Sequence, residues 1–414
     1  MFKMSESENV LSEIIDQIAK ENNIVKPKVV ISDTTRGGYL GVPSTIIVEE
    51  TGNGTTRKPL HLFLKSAPKN SRETLPIRDT FINEIVMYEE VLTEFLKFQK
   101  EKLVTDPFQS IVKCYRSSAI YDNEFLIFED LTKSGFVLWD KTKPMTTKCV
   151  EFILKETAKY HALSFAFRDQ KPDVFDDLAR ILHVNILTKF FETIPSLLKS
   201  YTTNMKCALN LFDPVQDKKI YEILANFIEN GIESIVMGYS IEDNDKVVII
   251  HGDSWCNNFM LKFEDPSQPD SLRQMKFLDW QCSRLSSPVI DMSYFLYCNG
   301  PQEVFDNLDY YLKLYHNTLA SALSDLETDV EKVFPFSTLQ NHWRKYARFG
   351  LTMACTLISI YYNPSHAVSL DITELSKDNK DVEEHFTSAE VQSNEMYRKR
   401  LGGIVTHFVN KGFI

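Results

Sequence analysis

An apolar stripe at helical spacing, Val10, Leu11, Ile14, Ile15 and Ile18, predicts an amphipathic helix as the first ordered element of the chain. The period then shortens to two. Thr45-Ile46-Ile47-Val48 and Leu60-His61-Leu62-Phe63-Leu64-Lys65 predict short strands separated by Glu50 to Thr56, a turn rich in glycine and asparagine. Ile111 to Tyr115 and Glu124 to Phe128 predict two more strands that complete a small sheet. Between the pairs, Asp79 to Gln99 reads as one long helix with its stripe at Phe81, Ile85, Tyr88, Leu92 and Phe95. Beyond Asp130 helical spacing dominates, first at Val150, Ile153, Leu154, Ala158, His161, Ala162 and Phe165, then near 176–200, 214–238, 302–323, 337–360 and 390–410. His161 falls on the apolar face, as a hydrogen-bonded core histidine would. Two apolar runs interrupt the helices, Val247-Val248-Ile249-Ile250 and Met275-Lys276-Phe277-Leu278. The turn-rich stretch Glu264 to Ser271 between them predicts that they pair antiparallel.

Composition narrows the function classes. The 414 residues are 43% hydrophobic, enough to bury a substantial core. With 46 basic and 57 acidic side chains the net charge is -11, which opposes binding to nucleic acid. Seven cysteines include no Cys-x-x-Cys pair and are odd in number, so free buried thiols are expected in place of a disulfide framework or zinc cluster. The amino terminus lacks a signal-peptide core and no apolar run reaches membrane-spanning length, so a cytoplasmic protein is expected.

The chemistry concentrates in Ile250-His251-Gly252-Asp253-Ser254-Trp255-Cys256-Asn257-Asn258 and Phe277-Leu278-Asp279-Trp280. In phosphoryl transfer to a hydroxyl, a carboxylate on a short loop after a strand accepts the hydroxyl's proton, and Asp253 fits that role. An amide oxygen five residues on, with a carboxylate from a second strand, can hold Mg²⁺ against the β- and γ-phosphates, and Asn258 and Asp279 fit that pair. His251 reads as a residue that holds the loop backbone. The competing account makes Asp253 a loop acid and Asn258 a turn residue, unrelated to each other.

These segments, together with Asp279-Trp280-Gln281 and Ser287-Pro288-Val289-Ile290-Asp291-Met292-Ser293-Tyr294-Phe295-Leu296, resemble the ecdysteroid kinase-like group, which is related to choline kinases and aminoglycoside phosphotransferases. The resemblance implies an α+β, protein-kinase-like fold of two lobes: a small antiparallel-sheet lobe with a long helix over 1–130, and a larger, mainly helical lobe over 131–414 that builds the acceptor pocket. It also implies an ATP- and Mg²⁺-dependent kinase acting on the hydroxyl of a small molecule, with an ecdysteroid or xenobiotic alcohol as acceptor. Asp-Trp-Gln stands where protein kinases carry Asp-Phe-Gly, and nothing matches their activation segment, so a protein acceptor is disfavoured.

Lys65 ends an apolar strand, where kinase-like small lobes place the lysine that grips the α- and β-phosphates. Glu84 lies three residues after Phe81 and four before Tyr88, on the inward edge of its helix, so it needs a cation, and Lys65 is the expected one. Glu89 and Glu90 are expected in solvent. Gly37 and Gly38 lack a Cβ and would let backbone amides approach phosphate, although two glycines before a strand also make an ordinary turn. Glu129 and Leu131 are the expected backbone contacts to the adenine edge at a hinge. Asp291, after Ser287-Pro288, is expected to cap or brace the metal loop. Two other classes remain open: a catalytically inactive kinase-like module that binds nucleotide or ligand, and a metal-dependent hydrolase using Asp253 and Asp279 without ATP. Oligomeric state is not legible.

Overall fold

The computed structural model describes residues 6–34, 41–52, 57–182, 184–230, 246–363 and 389–414. Gly37 and Gly38 lie outside them. The first helix is α1 (Glu6–Glu21), followed by β1 (Pro27–Asp33), β2 (Val42–Glu50) and β3 (Leu60–Ser66). After α2 (Ile77–Val86) and α3 (Leu92–Glu101), β4 (Cys114–Ser118) and β5 (Phe125–Glu129) complete a sheet of order β1-β2-β3-β5-β4, antiparallel throughout. Alternation sorts its side chains. Phe125 and Ile127 join Leu62 and Leu64 under Ile15, Ile18 and Ala19 of α1, while Leu126 and Phe128 face Phe81, Leu92 and Phe95 of α2 and α3. The sheet is thus covered on both faces. Its outer strand β1 was not expected, because all seven of its residues are exposed and carry no apolar period.

The helix expected over 79–99 runs from Ile77 to Glu101 and is interrupted by a π turn at Met87–Val91. There Thr93 Oγ1 donates to the carbonyl of Tyr88, five residues back, at 3.0 Å. Glu89 and Glu90 point outward on that turn.

The rest is mainly helical. In order come β6 (Val137–Leu138), α4 (Thr147–Gln170), α5 (Pro172–Ile181), α6 (Ile186–Thr193), α7 (Pro195–Leu209) and α8 (Lys218–Asn230). Strands β7 (Val248–Ile250), β8 (Phe259–Phe263), β9 (Leu272–Phe277) and β10 (Arg284–Ser286) form two small sheets. Then follow α9 (Pro288–Asn299), α10 (Gln302–Asp306), α11 (Leu308–Asp325), α12 (Val330–Val333), α13 (Phe336–Tyr346), α14 (Arg348–Tyr362), α15 (Ala389–Ser393) and α16 (Glu395–Lys411). The single helix expected near 176–200 is broken where Asn185 caps α6 and Pro195 begins α7, since proline cannot donate in a helix interior. Polar caps start the central helices: Thr146 Oγ1 accepts from Cys149 N ahead of α4, and Ser287 Oγ from Val289 N ahead of α9.

One pairing differs from expectation. The strand before His251 does not pair with the strand before Asp279. Instead β9 pairs with β8, which follows Asn258 directly and is joined to β9 by the 264–271 turn, while β7 pairs with β10. The turn was read correctly, but it joins the nearer strand. No helix among the described residues is long and apolar enough to cross a membrane. All seven cysteines are free, five of them buried.

Candidate active site

β7 delivers the chain to His251, and the loop reverses through Gly252, whose φ is +85°. A Cβ there would lie 2.2 Å from the carbonyl oxygen of Cys282, so the position admits only glycine without movement of backbone. The loop is held from beneath by Asp291, which is fully buried. Its Oδ2 accepts from the amide of His251 at 2.7 Å, and its Oδ1 from the amide of Gly252 at 2.8 Å and the hydroxyl of Ser254 at 2.9 Å. His161 reaches the same carboxylate with Nε2 at 3.2 Å and Tyr315 with Nδ1 at 2.7 Å, so it is a satisfied core histidine. Burial alone would raise the Asp291 carboxyl, but His161, His251 and the amides outweigh it and hold it below its usual value. His251 Nε2 lies 2.8 Å from the carbonyl of Leu278, which makes Nε2 the protonated nitrogen, and Nδ1 accepts from the amide of Asp253 at 3.3 Å. It ties the 251–258 loop to the approach to Asp279.

Asp253 is half-buried. Its Oδ1 accepts from the hydroxyl of Tyr294 at 2.9 Å and its Oδ2 from Asn258 Nδ2 at 2.7 Å. Burial pushes this carboxyl above the ordinary aspartate range, Asp279 adds to the rise, and His251, Tyr294 and Asn258 oppose it. Asn258 Nδ2 also donates to the carbonyl of Asp253 at 2.9 Å. Both amide hydrogens are therefore committed inward, and Oδ1 is the atom that Asn258 can offer a cation.

The β8–β9 pairing sets Asn258 beside Asp279: Phe259 is opposite Phe277, and the amide of Leu278 donates to the carbonyl of Asn258 at 2.9 Å. Asp279 takes a left-handed backbone, φ 62° and ψ 61°, which aspartate tolerates better than most residues. An amide oxygen and a carboxylate suit a hard divalent cation such as Mg²⁺, which takes one or two protein oxygens and completes its shell with phosphates and water. Among the described residues no group of three or more His, Cys, Asp or Glu forms a ready-made metal cluster.

From the other lobe, Lys65 Nζ lies 2.5 Å from Glu84 Oε2 and also pairs with Asp279 Oδ1. Glu84 is 1% exposed. Burial would lower the Lys65 ammonium, yet Asp279 and Glu84 together hold it above its usual value. Burial raises Glu84 to about 7, against the pull of Lys65. One residue before Glu84, Asn83 Nδ2 donates to the carbonyls of Gln281 at 2.8 Å and Ser283 at 2.9 Å, fastening α2 to the loop that carries Asp279.

At the end of β5, the amide of Glu129 donates to the carbonyl of Lys113 at 3.0 Å. Asp130 Oδ1 then caps the short 3₁₀ turn Leu131–Ser134 by accepting from the amide of Thr132 at 3.0 Å. Sequence reasoning missed Tyr294 and Asn83. Tyr294 sits in an apolar run where it reads as packing, and Asn83 had only its adjacency to Glu84 to signal it.

The family model for the ecdysteroid kinase-like family matches residues 38–328. No curated protein matches the chain. Among solved structures, the GDP complex of a point mutant of aminoglycoside 2'-phosphotransferase-IIIa is similar at 13% identity and a TM-score of 0.41, over 88% of this chain and 96% of that one. The GDP complex of the wild-type enzyme is similar at 14% identity and a TM-score of 0.36, over 83% and 96%.

Proposed function

Since the chain belongs to the ecdysteroid kinase-like family, we propose that it is an ATP- and Mg²⁺-dependent small-molecule kinase that transfers the γ-phosphoryl group to an alcohol. The observation that carries this reading is the meeting, at one cleft, of Asp253, Asn258 and Asp279 from the helical lobe with the Lys65–Glu84 pair from the sheet lobe.

In this reading the division of labour follows the chain. Residues 1–130 hold the nucleotide, with Lys65 on its phosphates, Gly37 and Gly38 in the loop over them, and the Glu129 carbonyl and Leu131 amide on the adenine edge. Residues 131–414 supply the catalytic loop and the acceptor pocket. Asp253 takes the proton from the acceptor hydroxyl. Its raised affinity for protons suits a base, and Tyr294 and Asn258 fix both of its oxygens so that the attacking group meets a rigid carboxylate. Asn258 and Asp279 would hold Mg²⁺, which when bound neutralises charge on the phosphates. Lys65, held here between Glu84 and Asp279, would meet the phosphates of the nucleotide, with Glu84 keeping it in place. The acceptor is an ecdysteroid or xenobiotic alcohol, and the protein works in the cytoplasm.

The test is incubation with Mg²⁺, γ-labelled ATP and a panel of sterols, choline-like amines and plant phenolics, with wild type and Asp253→Asn side by side. Label in a small molecule, lost by about 10²–10⁴-fold in the variant while ATP still binds, is the expected result. ATP binding without transfer across the panel would instead favour an inactive module, and nucleotide-independent release of phosphate from esters would favour a hydrolase.

A further inference from the structure

Arg400, on α16, is 7% exposed, yet only part of its guanidinium is satisfied. Its Nη2 donates to the carbonyl of Cys298 in the last turn of α9, while Nε and Nη1 are buried without a hydrogen-bond partner. The described residues bring it no carboxylate. Its other neighbours are the ring of Tyr361, whose centroid is 5.7 Å from the guanidinium carbon, and the thiols of Cys256 and Cys298. Burial pushes the Cys256 thiol up to about 11, so it brings no counter-charge at neutral pH. Capping the end of α9 accounts for one N–H group, a task that lysine performs equally well. It leaves unexplained a buried planar cation with two open donors, the arrangement that suits an oxyanion.

The cation sits beside the catalytic loop. The Tyr361 ring stacks on Trp255 with centroids 6.2 Å apart and planes 6° from parallel, and its hydroxyl is 3.7 Å from Cys256 Sγ. On α9, Tyr294, which donates to Asp253, precedes Cys298 by one turn, so the two anchor points stand about 6 Å apart along the helix. The groups of α9 that meet Asp253 and Arg400 thus belong to neighbouring turns of one helix.

We propose that Arg400 anchors an acidic group of the acceptor, a carboxylate or sulfate, so that this kinase prefers alcohols that carry an oxyanion at the end away from the reacting hydroxyl. The inference rests on the kinase reading above and narrows its acceptor to acidic xenobiotic alcohols, setting a neutral ecdysteroid second.

Its test uses matched pairs that differ only in that charge, cholate with methyl cholate and ricinoleate with methyl ricinoleate, each assayed for label transfer from γ-labelled ATP alongside the neutral panel. Wild type is expected to favour the acid over its ester by about tenfold or more in kcat/KM, chiefly through KM, as charge-assisted hydrogen bonds would give. Arg400→Met is expected to erase that ratio and Arg400→Lys to restore part of it. A purely structural arginine would lower both members of a pair together and leave the ratio alone. Transfer to neutral alcohols with no acid preference in wild type overturns this inference and leaves the kinase reading standing, and so does an acid preference that survives Arg400→Met. Should sodium sulfate raise the wild-type Tm but not that of Arg400→Met while wild type shows no acid preference, the site belongs to a free inorganic anion and the acceptor assignment falls. Absence of transfer to every alcohol in wild type overturns both readings at once.

Discussion

Gly252 carries the tightest steric demand at the site, a left-handed backbone with the Cys282 carbonyl where a side chain would begin. Gly252→Ala is expected to cost about 3 kcal/mol of stability or more, read as a drop in the denaturant midpoint, and to abolish transfer in whatever folds. Asp291 gives a second expectation. Because its folded carboxyl is held below the ordinary value of 3.8, the stability it contributes is present above that pH and is lost as the pH falls through its lowered folded value. Asp291→Asn should cost about 3 kcal/mol at neutral pH by breaking the bond set under the 251–254 loop, and should blunt the acid limb of the stability curve. The residues that gather at the cleft were legible in the sequence because the chemistry restricts both their type and their spacing: Asp253, Asn258 and Asp279 come from loops next to strands, and Lys65 with Glu84 from a strand end and an inward helix edge. Tyr294 was not legible, since a phenol in an apolar run looks the same whether it packs or donates. Arg400 was hidden for a related reason, as its burial depends on helices distant in sequence.

At the scale of elements, the side chain of Asn83 helps fasten α2 to the loop carrying Asp279 by satisfying two carbonyls at once. Asn83→Ala is expected to destabilise the protein by about 2 kcal/mol. It should also lower kcat more than the nucleotide affinity, measured by transfer kinetics beside ADP titration, because the loop loses its register against Glu84 while the hinge is untouched. Periodicity identified most helices and the inner strands of the sheet. It could not foresee the π turn at Met87–Val91, where one added residue per turn leaves the apolar stripe nearly intact, nor β1, which buries no side chain and so has no stripe to read. The pairing of β9 with β8 instead of β7 shows a related limit, since a turn marks where a chain reverses but not how long the arm before it is.

Across the whole molecule, the sheet lobe and the helical lobe share a continuous apolar core that ends on α16, where His407 lies among Tyr297, Phe305, Phe408 and Phe413. Burial, with help from Lys411 and against Asp306, lowers His407 from 6.5 to about 4. A depressed folded value means that its stabilising contribution is complete above pH 6.5 and declines as the pH falls toward 4, by about 3 kcal/mol over that interval. Urea midpoints measured across this range should show the decline in wild type and a flatter profile in His407→Phe. The change of period near Asp130 marked where strands give way to helices, because the two leave different repeats, whereas the two-lobed arrangement came from the resemblance. A last consequence concerns the ammonium of Lys65, whose partners enter the chain at very different times: Glu84 follows it closely, but Asp279 comes 214 positions later. A polypeptide leaving the ribosome can therefore lay down its sheet and seat Glu84 long before the second acid has been translated, and this three-membered charge cluster is completed from its far end, as one of the later acts of synthesis.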